Sequence, residues 1–149
     1  EYTHEPTTEQ RELAKKLASW GADVIIGTHP HVIQPVEYIE NSDGRRTLVA
    51  YSLGNFISAQ NRGPRMLGGM INFDIVKNNN TGKVAIENVV FSGVVTHYGY
   101  NASNVRIYPL ADYTEELASK HGVKSKTPDF SLQYLNNIMN EVIDKQFLK

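Results

Sequence analysis

Cysteine is absent from all 149 residues, which excludes disulfides, thiolate metal ligands and cysteine nucleophiles together. Long hydrophobic runs are lacking too: each apolar stretch is interrupted within a few residues, and none can cross a bilayer as a helix. Nor is there an excess of one charge. Against 16 Asp and Glu stand 15 Lys and Arg, a formal net charge of -1. That balance leaves no electrostatic footprint for nucleic acid or for an anionic membrane surface. The chain opens without Met and without the apolar core of a leader, because Glu1-Tyr2-Thr3-His4-Glu5-Pro6 is polar. A fragment or a processed chain is therefore expected. What is present is ordinary for a globular protein, 40% hydrophobic and 21% charged residues, at a length that suits one domain or a large part of one.

Thr7, with Gln10 three residues on and Pro6 before it, reads as a capping box that opens a helix. Leu13, Leu17 and Trp20 with Ala14 and Ala18 give that helix one apolar face, and Gly21 ends it. Asp23-Val24-Ile25-Ile26-Gly27 is a short β-branched run, expected as a buried parallel strand whose partner need not lie in this chain. Val36 to Glu40 and Arg46 to Ser52 flank Asn41-Ser42-Asp43-Gly44, the pattern of a hairpin. Asn61 to Gly69, with its Gly, Pro and Arg, predicts a surface loop. Met70 to Val76 alternates, Asn78 to Gly82 is a turn, Lys83 to Val95 returns as a strand, and Val105 to Leu110 is a last extended piece. Ala111 to His121 predicts a short helix. Thr127-Pro128 predicts the cap and first residue of a longer one, striped by Leu132, Leu135, Ile138, Met139, Val142, Ile143 and Phe147. The order argues for an α/β domain in which a mixed sheet carries antiparallel hairpins.

His29 and His31 are the sharpest chemical signal. They flank Pro30 just after the strand run ends at Gly27, and in open α/β sheets ligands collect beyond the carboxyl ends of strands. Pro30 fixes its own φ and pushes His29 out of the helical region, so both imidazoles sit on a stiff turn. Two readings stand at this point. Either both are loop histidines, or each reaches one of two neighbouring metal ions.

The surrounding residues add to this. The run Gly21 to Pro35 resembles the strand and metal-binding turn of the CapA-like family of poly-γ-glutamate capsule-synthesis proteins. Ala50-Tyr51-Ser52-Leu53-Gly54-Asn55-Phe56-Ile57-Ser58 is similar to that family's second signature, and Gly68-Gly69-Met70 before an alternating strand is similar too. Glu1-Tyr2, followed by Pro6 and Gln10, resembles the end of its His-Trp-Gly-x-Glu-Tyr segment. The pieces follow the family's order through the first half of the chain, and the C-terminal stretch carries no such signature.

The resemblance implies the C-terminal part of a calcineurin-like metallophosphatase fold, a β-sandwich flanked by helices, with residues 1–149 as a single incomplete domain. It implies two divalent metal ions, with His29 and His31 giving one ligand to each, and metal-assisted hydrolysis of a phosphoester. Imidazole and oxygen ligands without thiolate suit Mn, Fe, Zn or Mg. The family's earlier motifs, including an Asp and His near its N-terminus, a central Asp and Asn, and the His of His-Trp-Gly, are not in this sequence. A two-metal site takes about six or seven protein ligands. The chain alone is thus expected to be inactive, its missing half coming from an N-terminal part of the same protein or from another chain. The parent protein is expected at the surface of, or outside, a bacterial cell, with a membrane anchor of its own as one arrangement. An alternative is a non-catalytic surface component for assembly or export of poly-γ-glutamate. A Rossmann-like domain with an accidental His-Pro-His turn is a third reading, which the strand-rich middle opposes.

Other residues carry weaker signals. Asn55 is either a turn residue in the left-handed region or an amide that faces substrate or orients a metal ligand. Gln34 either lines the same cleft or caps backbone groups, and Glu37 either sits close by or reads as the solvent side of a half-buried strand. Arg62 and Arg65 suit an anionic polymer or a phosphoester, or else a solvated loop. His4, His97 and His121 read as surface residues. A parallel strand edge left uncovered would invite a homo-oligomer.

Overall fold

The computed structural model describes residues 1–148. The helix expected first runs as α1 (Thr8–Ser19), and its capping box forms as the sequence predicts. Thr7 Oγ1 accepts from the Gln10 backbone N–H at 3.2 Å while Gln10 Oε1 accepts from Thr7 N–H at 2.8 Å, which satisfies two of the orphan donors of the first turn. The apolar face is used differently from expectation. Ala14 and Ala18 are buried, but Leu13 is exposed and Trp20 is 76% exposed. The small residues let the helix lie close on the sheet, with Leu17 half-buried beside them, while Leu13 and Trp20 face solvent.

Strand β1 (Val24–Ile26) pairs in parallel with β3 (Arg46–Ala50), and β2 (Val36–Glu40) pairs antiparallel on the other side of β3. The parallel partner of β1 therefore lies within this chain. Its other edge carries no strand among the described residues, and so β1 is half-covered rather than buried, with Ile26 exposed. The hairpin register, Val36 opposite Ala50 and Glu40 opposite Arg46, matches the expected turn.

A second sheet is wholly antiparallel: β4 (Leu67–Lys77), β5 (Val84–His97) and β6 (Arg106–Pro109), in that order. The parallel and antiparallel pairing expected from the sequence is thus divided between two small sheets, one mixed and one antiparallel. Residues Asn61 to Gly69 are not a surface loop either. Gly63–Met66 is a 3-10 turn and Leu67 already begins β4, with Met66 and Leu67 fully buried. The two sheets share one hydrophobic core. Ile33, Val36 and Leu48 from the first meet Leu67, Phe91 and Val95 from the second, and Phe130, Leu135, Met139, Ile143 and Phe147 close over them.

The C-terminal helices are α2 (Glu115–Lys120) and α3 (Leu132–Val142). Thr127 does not cap α3. Its hydroxyl accepts from Gly63 N–H at 2.9 Å, and Ser131 takes the capping place four residues later. The expected stripe holds, with Leu135 and Met139 buried on the helix and Ile143 and Phe147 buried beyond its end.

Candidate functional site

The His29-Pro30-His31 turn leaves β1 through Gly27 and Thr28, and Pro30 is buried beneath it. Both histidines have left the helical region, which the following proline requires of His29 alone, and neither is extended: φ is 100° at His29 and 62° at His31. Left-handed backbone at a non-glycine residue costs about 1–3 kcal/mol and is held only where surroundings over-determine it. Here they do. Tyr2 N–H donates to Pro30 O at 2.9 Å, and the Tyr2 ring stacks on His31 at 5.8 Å with an interplanar angle of 24°. The Arg65 guanidinium lies 3.5 Å over the other partner in the stack, the Tyr2 ring, and donates to Gln60 Oε1 at 2.9 Å.

The two imidazoles stand 6.1 Å apart, centroid to centroid. His29 is exposed, and its Nε2 lies 3.0 Å from Glu1 Oε1. The Glu1 carboxyl is held below its usual value, first by a hydrogen bond from Tyr2 and then by the nearby His29 and His31. His31 is half-buried, with Nδ1 2.9 Å from Asn55 Oδ1.

Asn55 comes here by register. The antiparallel pairing of β2 with β3 is continued by a bridge between Ile33 and Leu53, and the same register sets His31 opposite Asn55. Gly54, not Asn55, takes the left-handed conformation, with φ 67°, so Asn55 is not serving as a left-handed turn residue. Gly54 also bridges to Gly68 of β4, where any Cβ would strike the Asn55 carbonyl oxygen. Asn55 is 9% exposed, and its Nδ2 donates to His31 O at 3.2 Å and Arg65 O at 3.1 Å.

Of the residues singled out by sequence, His29, His31, Asn55 and Arg65 come together. Gln34 and Arg62 are engaged elsewhere. Gln34 is 1% exposed and donates to the carbonyls of Thr3 and Glu5 at 3.0 and 3.3 Å, which ties down the N-terminal segment. Arg62 turns to the C-terminal region, where Nη1 donates to Lys126 O at 3.3 Å. Glu37 belongs to a separate cleft. It accepts from Tyr51 Oη at 2.8 Å and from Arg11, while burial and that carboxylate push the Tyr51 phenol up to about 12. Tyr2 was missed by the sequence reading; only its place in the Glu-Tyr segment hinted at it.

Of the remaining histidines, expected at the surface, His121 is buried, while His4 and His97 are half-buried and hydrogen-bonded. His4 Nδ1 lies 2.8 Å from Ile33 O. His97 Nδ1 lies 2.7 Å from Tyr113 Oη. His121 is 2% exposed, with Nε2 donating to Thr96 O at 2.9 Å and Nδ1 accepting from Val123 N–H at 3.0 Å. Burial lowers its pKa to about 4.

As a donor set, two imidazole nitrogens on one turn suit a divalent transition ion but do not complete its coordination. Among the described residues no group of three or more His, Asp or Glu could hold a metal ion.

Fold and site together define a mixed α/β chain with a histidine-bearing turn at the carboxyl end of a parallel strand. Residues 1–60 match the family model described as bacterial capsule synthesis protein PGA_cap, a span that holds His29, His31 and Asn55 but neither Arg62 nor Arg65. Over that matched span the chain is similar to the CapA-like capsule-synthesis proteins. It is 35% identical over 86 residues to the PGA biosynthesis protein CapA of Bacillus subtilis (strain 168), covering 58% of this chain and 21% of that protein. It is 40% identical over 60 residues to the capsule biosynthesis protein CapA of Bacillus anthracis, covering 40% of this chain and 13% of that one. The chain thus spans about a fifth or less of the length of these curated relatives. No solved structure matches it.

Proposed function

We propose that this chain is a piece of a bacterial protein of poly-γ-glutamate capsule synthesis, and that its His29-Pro30-His31 turn supplies two imidazole ligands to a divalent metal centre. The observation that carries the reading is the held geometry of that turn. Both histidines are fixed in left-handed backbone at the end of β1, and His31 already has its Nδ1 engaged by a buried amide. Strain stored at such a turn accords with a ligand-binding role.

The rest of the centre comes from a longer protein or from a second chain, since two donors do not close a site. The fold is the C-terminal part of a metallophosphatase-like β-sandwich; two three-stranded sheets around one core support it. Divalent ions bound there would polarise a phosphoryl or carbonyl oxygen and generate a nucleophile from water at neutral pH. This chain's own residues orient the ligands. Arg65, stacked on Tyr2 beside His31, is the cation placed to meet an anionic substrate, either the polymer's carboxylates or a phosphoester. The site of action is the bacterial cell surface.

Calorimetric titration of Zn and Mn into the chain tests this. Micromolar or tighter binding is expected, and it should vanish in the His29→Ala, His31→Ala double variant. Binding that is absent, or unchanged in the variant, refutes the ligand assignment and leaves a non-catalytic surface role for the fold.

A further inference from the structure

The amide of Asn55 settles which nitrogen of His31 carries the proton. Its Nδ2 faces two carbonyl oxygens, those of His31 and Arg65, at 3.2 and 3.1 Å. An amide flipped the other way would set its oxygen against both carbonyls, so the NH2 group belongs on that side. Oδ1 is then the atom 2.9 Å from His31 Nδ1, and an amide oxygen only accepts. The Nδ1 must therefore carry hydrogen, which leaves the lone pair of a neutral ring on Nε2.

The arrangement is rigid on both sides. Asn55 is held in place by the Gly54–Gly68 bridge and is 9% exposed, and the face of the His31 ring is covered by Tyr2, itself under Arg65. A free imidazole side chain in water prefers its proton on the other nitrogen, so this tautomer is imposed rather than inherited.

We propose that Asn55 is a positioning residue: it locks His31 as the Nδ1–H tautomer and so presents Nε2 as the bare donor to a divalent cation. Outer partners of this kind fix ring orientation and raise ligand basicity, and their loss costs about 10–100-fold in metal affinity. The inference rests on the proposed ligand role of His31, but its first test needs no metal.

Long-range proton–nitrogen correlation spectra of the histidine-labelled chain, at about pH 8.5 where an unperturbed ring is neutral, report the tautomer directly. The wild-type His31 is expected to show a protonated Nδ1 and a bare Nε2. Asn55→Ala should shift the ring toward the opposite tautomer. A wild-type ring protonated on Nε2 overturns the proposal without recourse to any variant. Zn affinity is the second arm: Asn55→Ala should lose about 10–100-fold. Equal Zn binding by the wild type and Asn55→Ala overturns the positioning role. An Nδ1–H ring in a wild-type chain that binds no Zn overturns the ligand reading of His31, and with it the second half of the proposal, while the tautomer assignment stands.

Discussion

His121 makes the fold acid-sensitive, and the size of the effect follows from its surroundings. The ring is buried against His97, Tyr98 and Phe130, with both nitrogens committed to backbone groups. Burial is the main cause that lowers its pKa from 6.5 to about 4, with a contribution from neighbouring His97; the bond to Thr96 O pulls the other way. A depressed histidine favours the neutral ring in the folded state. Its contribution is full above the unfolded value near 6.5 and is lost as pH falls toward 4. At 1.36 kcal/mol for each tenfold change in proton affinity, the loss between about pH 7.5 and pH 4.5 is about 2.5 kcal/mol. Urea unfolding across that range, on the wild type and on His121→Gln, isolates this term. Exposed carboxylates such as Asp43 and Glu116 are held below their usual values by Arg45 and Lys120, and they are common to both proteins. The variant should start about 1–3 kcal/mol less stable, and its profile should be flatter by about 2.5 kcal/mol. Parallel profiles would refute the reasoning.

Three further outcomes follow from the structure. Thr7→Ala removes the capping hydroxyl of α1 and should cost about 0.5–2 kcal/mol in chemical denaturation. Gly68→Ala drives a methyl group into the Asn55 carbonyl oxygen, so it should cost about 1–3 kcal/mol and weaken Zn binding as well, both read on one purified sample. The free edge of β1 beside exposed Trp20, Leu13 and Ile26 should make the chain self-associate; sedimentation velocity should show this, and Trp20→Ser should reduce it.

Local features were legible in the sequence. The Thr7–Gln10 box, the hairpin turn after Glu40 and the His-Pro-His turn each depend on residues a few positions apart, where backbone preference and short-range hydrogen bonds decide the outcome. The hairpin register even contained the meeting of His31 with Asn55, because the pairing simply runs on past β2. What could not be read depends on distant partners. Thr127 has the form of a helix cap, yet its hydroxyl is drawn to Gly63, 64 positions away, and the helix starts at Ser131 instead. Arg62 and Arg65 look alike in the loop, but one is drawn to Lys126 O and the other to the ring of Tyr2. His121 follows a polar helix end, and nothing nearby signals that Thr96 and Phe130 will enclose it.

The ligand role of the turn is tested most directly by anomalous diffraction from crystals grown with Zn. The account predicts an anomalous peak about 2.0–2.1 Å from His31 Nε2, with Asn55 still on Nδ1 and His29 turned to the same site or to a second ion beside it. Metal bound elsewhere on the chain, or a His31 ring that stays bare in the presence of the ion, would contradict it.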